Sequence, residues 1–274
     1  MNYISGEKVQ LEMDLFISTE QNHDYNINIT SKHEKSYEVN NINSYFNNPK
    51  FIFTHTHNLI NFARKLNFFI NDFILISHNS DDNITDNELT RYILNHPKII
   101  KWYSQNVMFI HPKLEMIPIG FANEQWKHGK SKIIMNTINN LNNIKKTNNI
   151  YFYFTINTNY QKRYECYEKL KNHFLLSEKK PEEEYFDYLA TFKFAICPEG
   201  NGIDTHRLWE CFYFKVIPIV IDNIFIRKVK DKYKLPMIIL NDWNELINTK
   251  LEYEDFDNSI LDFNKLKEEI FNNI

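Results

Sequence analysis

What most constrains this chain is an alternation, run through twice, of short apolar runs with amphipathic stretches. "LEMDLFIS" and "FIFTHTH" have strand length, and "NLINFARKL" after them has helical spacing. "FFINDFILISHNS" predicts a strand ending in the polar loop "SHNSDDNIT", and "DNELTRYILNHP" a helix behind an Asp/Asn cap. "VMFIHP" and "LEMIPIGFAN" read as two more strands. The Asn-rich stretch "MNTINNLNNIKKTNN" (135–149) is weakly periodic, either a polar helix or a linker. The alternation then restarts. "IYFYFTI", "KFAICPEG", "VIPIVI" and "MIIL" are strand-like; "NTNYQKRYECYEKLKNHF", "PEEEYFDYLATF", "DTHRLWECFYF", "IFIRKVKDKY" and "DFNKLKEEIFNNI" contain helices. Strands alternating with helices give a mostly parallel sheet covered on both faces. The expected fold class is α/β, with two Rossmann-like domains, 1–148 and 149–274, facing across a cleft. Ligands bind such folds at the carboxyl ends of the strands.

Composition narrows the functional classes. An apolar fraction of 43%, with 22 Phe and 16 Tyr, supplies a packed core and excludes global disorder. The net charge is −3 and no basic tract stands out, so no nucleic-acid partner is expected. Three cysteines without paired spacing suggest neither a disulfide framework nor a zinc site. The first residues lack a basic region followed by an apolar one, so no signal peptide is expected. The apolar runs are too interrupted to span a bilayer. A soluble, reduced, cytoplasmic or other intracellular setting is the expectation.

Of only five glycines, two fall in "AICPEGNGIDTHRLWE" (195–210). With "KFAIC" on a strand, Gly200 and Gly202 let the following turn take positive φ and approach a ligand closely. Asp204 or Thr205 caps the next helix. The helix N-terminus then offers free N–H groups and partial positive charge to an anion. His206, Arg207 and Glu210 share one face of that helix, while Leu208, Cys211 and Phe212 pack on the sheet. An arginine forks onto phosphate oxygens, and a carboxylate one turn along accepts two sugar hydroxyls. The competing reading is a solvated Arg–Glu pair on an ordinary capped helix.

The stretch "KFAICPEGNGIDTHRLWECFYFKVIPIVI" resembles the signature of exostosin-like glycosyltransferases, in the second half of a GT-B fold. "KIIKWYSQNVMFIHPKLEMIPIGFAN" is similar, more weakly, to a first-half strand pair of related enzymes, where a "W..QN" element precedes "iPiG". The resemblance implies a nucleotide-sugar donor bound by the second domain, an acceptor bound by the first, inversion at the anomeric carbon and no essential metal. Arg207 and Glu210 match the family's Arg and Glu. Glu199 stands where many members carry another residue. Lys215 stands where a glycine usually precedes the "IP" strand, which implies a different helix-to-strand turn.

Further candidates complete this picture. Arg163 lies after the first strand of the second half, in reach of a diphosphate, with Asn157, Thr158 and Asn159 as polar neighbours. Glu199, Asn201, Gly202, Asp204, Thr205, His206, Arg207 and Glu210 complete the donor-side set. An inverting transfer needs a base for the acceptor hydroxyl, and His78, Asp81 and Asp82, at the end of a strong strand, would project into the cleft. Asp81 and Asp82 could instead hold Mg²⁺ or Mn²⁺ on a diphosphate. His55 and His57 lack a third ligand for a metal, and His55 is a candidate acceptor contact. Trp102, Trp209 and Trp243 read as packing residues and Trp126 as an acceptor platform. Cys197 reads as a buried strand residue. The rival classes are a nucleotide- or carbohydrate-binding module without turnover and an interaction scaffold.

Overall fold

The computed structural model describes residues 1–17 and 49–272; Ser18, at the end of "LEMDLFIS", lies outside the described residues. Helix α1 (Gly6–Glu12) is capped by the Ser5 hydroxyl and leads into β1 (Leu15–Ile17), β2 (Phe51–His55) and α2 (Leu59–Ala63). Strand β3 (Phe73–His78) is buried at every position. Next comes α3 (Glu88–Asn95), where Asn87 and Thr90 form a reciprocal capping box. Strands β4 (Ile99–Ser104) and β5 (Leu114–Met116) and helix α4 (Ser131–Asn140) follow. The second run comprises β6 (Asn148–Tyr151), α5 (Tyr160–Leu170), α6 (Glu182–Ala190), β7 (Phe192–Ile196) and α7 (His206–Tyr213). It closes with β8 (Ile217–Ile221), α8 (Ile224–Tyr233), β9 (Ile238–Leu240), α9 (Glu245–Asn248) and α10 (Phe263–Phe271).

Among the described residues the strands form two parallel sheets, β1-β2-β3-β4-β5 and β6-β7-β8-β9. The chain is therefore α/β with Rossmann-like alternation. Several local expectations need correction. Leu11 and Glu12 belong to α1 rather than to a strand. "VMFIHP" is not a strand; the strand is Ile99–Ser104, and Val107 makes only an isolated bridge to Ile84. Asn106, at φ 54°, turns the chain out of β4 and explains the difference. Residues 135–149 are helix up to Asn140, then a short turn at Leu141–Asn143, and end in the first two residues of β6. Strand β6 starts before "IYFYFTI" and ends at Tyr151.

Lys215 sits in the turn between α7 and β8. It takes φ 54° itself, the left-handed conformation that a glycine supplies without strain. The Lys215 N–H donates to the Phe212 carbonyl (3.2 Å) and the Val216 N–H to the Cys211 carbonyl (2.8 Å), the paired bonds of a Schellman cap.

One apolar cluster runs from the first sheet to the second. At its centre Phe121, fully buried after β5, meets Phe186 of α6, Tyr213 of α7 and Phe214, with ring centroids 4.9–5.6 Å apart. The Tyr213 hydroxyl accepts from the Ile4 N–H (2.8 Å) and donates to the Leu261 carbonyl (2.7 Å). Helix α10 packs Phe263, Leu266 and Ile270 with Phe51, Phe53, Ile74 and Ile76 of the first sheet. No helix among the described residues is long and apolar enough to cross a membrane.

Candidate functional site

The carboxyl ends of β6 and β7 open onto a cavity of about 360 Å³, lined by Tyr153, Thr155, Arg163, Tyr185, the turn from Gly200 to Thr205, and His206, Arg207 and Glu210. Asp81, Ile119 and His128 close it from the side of the first sheet. The turn from β7 to α7 is held from across the cavity. The buried Asn106 side chain accepts the Asp204 N–H (2.8 Å) and donates to the carbonyls of Ser80 (3.0 Å) and Asp82 (3.3 Å). Asn201 Nδ2 donates to Asp81 Oδ2 (3.2 Å).

The two glycines serve packing, not an unusual backbone. Gly120 is the one glycine at positive φ, so Gly200 and Gly202 do not use the left-handed region expected for them. A Cβ on Gly202 would lie 3.0 Å from the Asn106 amide and 3.1 Å from the Asp81 carbonyl. The close approach made possible here is to the chain's own first-sheet loops. Asp204 is likewise drawn inward. It does not cap α7; Thr205 holds the N-cap position without a side-chain bond. Asp204 is buried and accepts from the Ile119 N–H (2.7 Å) and the Trp209 indole (2.5 Å). Burial pushes its carboxyl up to about 7, although those donors oppose the shift.

Two guanidiniums face the cavity. Arg207 donates through Nε to the Tyr185 hydroxyl (2.6 Å) and through Nη1 to the Tyr153 carbonyl (3.0 Å), and lies over the ring of Tyr151. Glu210 was expected to be free for sugar hydroxyls. It is 4% exposed and instead accepts the Tyr185 hydroxyl (2.5 Å), with Arg207 Nε 3.4 Å away. Arg163 donates only to backbone, through Nε to the Glu199 carbonyl and through Nη1 to the Thr155 carbonyl, both at 2.9 Å. Among the described residues it has no carboxylate partner. Burial, then the charge of Arg207, draws its pKa down to about 10. The cavity therefore holds a cation whose remaining N–H groups have no counter-ion. The first-turn amides of α7, ahead of its first intrahelical bonds, add to the same positive field.

A second cavity of about 210 Å³ shares Pro198 and Thr205 with the first and carries Glu199, Asn223, Val220 and Trp243. Glu199 points here, accepting from Asn223 Nδ2 (3.2 Å). A third, of about 200 Å³, shares Asp81, Ile119 and His206 with the first and carries Asn79, Ser80, Asn123 and the exposed Trp126.

Not every expected residue reaches these cavities. His78 ends β3 with no exposed surface. Its Nε2 donates to the Pro118 carbonyl (3.0 Å) and its Nδ1 accepts the Asn79 N–H (2.8 Å), so both nitrogens are taken. His55 is buried beside Phe16 and Phe53, and burial draws its imidazole down to about 3. Asp82 is exposed outside the cavities, and among the described residues no cluster of three or more His, Cys, Asp or Glu could hold a metal ion. Of the three expected bases, only Asp81 lines the central cavity. Tyr185, Tyr153, Ile119 and Asn106 are the functional neighbours that the sequence reading missed. Only Asn106 left a trace there, inside the quoted "W..QN" element.

No protein-family model matches the chain, and no curated protein does. The fold and the site together define an α/β protein with a cavity lined by two arginines and a helix N-terminus.

Proposed function

We propose that the chain is a glycosyltransferase of exostosin-like, GT-B type, moving a sugar from a nucleoside-diphosphate donor to a hydroxyl of a glycan acceptor. In this reading the two sheets belong to two lobes, and the central cavity is the cleft between them. The observation that carries the reading is Arg163. A half-buried guanidinium that, among the described residues, hydrogen-bonds only to backbone carbonyls calls for an anion, and Arg207 and the α7 tip face the same space. The motif-bearing residues Arg207 and Glu210 stand in that cavity beside the turn that holds Gly200 and Gly202.

The diphosphate would lie on Arg163, Arg207 and the first-turn amides of α7, which neutralise charge on the departing group from preorganised positions. The nucleoside would extend past Pro198 and Thr205 into the cavity with Glu199 and Asn223. Glu210, held by Tyr185, orients Arg207. The acceptor would enter by the third cavity, beside Trp126.

The test is incubation with UDP- and GDP-sugars and oligosaccharide acceptors, following release of UDP or GDP. Turnover that Arg163→Ala lowers at least tenfold supports the reading. Nucleotide binding without release from any donor assigns the chain to the non-catalytic binding modules instead.

A further inference from the structure

We propose that His206 is the general base that takes the proton of the acceptor hydroxyl, an inference that rests on the glycosyl-transfer reading above. His206 lines both the central cavity and the one carrying Trp126, so its ring stands where donor and acceptor would meet. Its Nδ1 lies 2.7 Å from the Gly120 carbonyl. A carbonyl only accepts, so Nδ1 carries the hydrogen and Nε2 presents its lone pair. No hydrogen-bond partner occupies Nε2 among the described residues.

The tautomer is set from the backbone. Gly120 holds φ +65°, and a Cβ there would meet the Ile4 carbonyl at 2.1 Å. The next amide, Phe121 N–H, donates to that same Ile4 carbonyl (2.8 Å). The carbonyl that orients the imidazole is thus fixed by a turn that only glycine fits. The position at the start of α7 also disfavours a positive ring, which keeps the base form available. Asp81, the other ionisable group shared by both cavities, is exposed and accepts from Asn201.

In the step, the acceptor O–H bond breaks and its proton goes to Nε2. The oxygen bonds to the anomeric carbon. The bond from that carbon to the diphosphate oxygen breaks, its electron pair leaving with the nucleoside diphosphate. The imidazolium then returns its proton to solvent. The groups facing His206 are Glu210 on its own helix, Asp81 after β3, His128 after β5 and the buried His78. Burial sets the imidazole below its ordinary range, so the acid limb of the rate profile falls below pH 6.5.

The experiment compares His206→Gln, Asp81→Asn and the unaltered chain with UDP- and GDP-sugars, reading release of UDP or GDP against pH and binding of UDP or GDP by thermal shift. His206→Gln is expected to lower kcat about 100-fold or more, to remove the acid limb and to leave the nucleotide-induced shift in place. A His206→Gln chain that keeps its rate, or a loss confined to Asp81→Asn, overturns the assignment while leaving the transfer reading intact. No binding and no release from any donor overturns the transfer reading and this inference together. A second arm treats the unaltered chain with diethyl pyrocarbonate and maps the adducts. Carbethoxylation of His206 should track loss of release. Activity surviving full modification of His206 contradicts the proposal.

Discussion

Asp204→Ala tests the joint that holds the cavity together. Asp204 accepts from the Ile119 N–H on one side and the Trp209 indole on the other, and it is 3% exposed. Truncation leaves the buried Trp209 indole N–H and the part-buried Ile119 N–H unpaired, the first costing about 1–3 kcal/mol and the second up to that, for a total of at most about 6 kcal/mol. The penalty is pH-dependent. The folded pKa, about 7, lies above the ordinary 3.8, so the folded chain keeps a proton that the unfolded chain has lost. That contribution is fully present below pH 3.8 and is lost as pH rises through 7, at a limit of about 1.4 kcal/mol per pH unit. The unaltered chain therefore loses the Asp204 contribution over that window while the variant has none to lose, so the penalty shrinks as pH rises. Urea melts of both chains at pH 5 and pH 8 measure it. A penalty below about 1 kcal/mol at pH 5, or one that grows toward pH 8, would refute the reasoning.

Tyr185→Phe removes the hydroxyl between Arg207 and Glu210; it should cost about 1–3 kcal/mol in a denaturant melt. It should also raise the nucleotide concentration needed for a given thermal shift. Phe121→Ala empties the contact among Phe186, Tyr213 and Phe214, for a loss of about 3–5 kcal/mol. Calorimetry should then show a broadened or divided transition in place of one. Lys215→Gly relieves the left-handed strain and should stabilise the fold by about 1 kcal/mol. The ion pair it gives up, to the exposed Asp255 carboxylate, is worth less than that. An unchanged or lowered midpoint in urea would speak against that strain.

How much of this was legible in the sequence differs from element to element. The run from β7 through α7 to β8 was readable because it combines a strand-length apolar run, a turn and helical spacing in one local stretch. The last helix was readable from period alone, but its docking on the first sheet was not. What stayed hidden was contact between distant residues. Gly202 reads as a turn glycine, yet its small size matters because Asn106 lies 3.0 Å from where a Cβ would sit. His78 reads as a polar strand end; the Pro118 carbonyl, forty positions away, lets it be buried. Tyr185 and Tyr188 look alike within "EEEYFDYLATF", and only the arrival of Arg207 and Glu210 from α7 tells them apart. Lys215 shows the converse: a residue poorly suited to its backbone is held there by two helix-capping bonds.

The most direct measurement is a crystal structure of the chain with UDP or GDP bound. The diphosphate should lie within hydrogen-bond distance of Arg163 and Arg207 and against the first-turn amides of α7, with the nucleoside running past Pro198 and Thr205. A nucleotide seated elsewhere, with Arg163 still bonded to backbone alone, would contradict the proposed site.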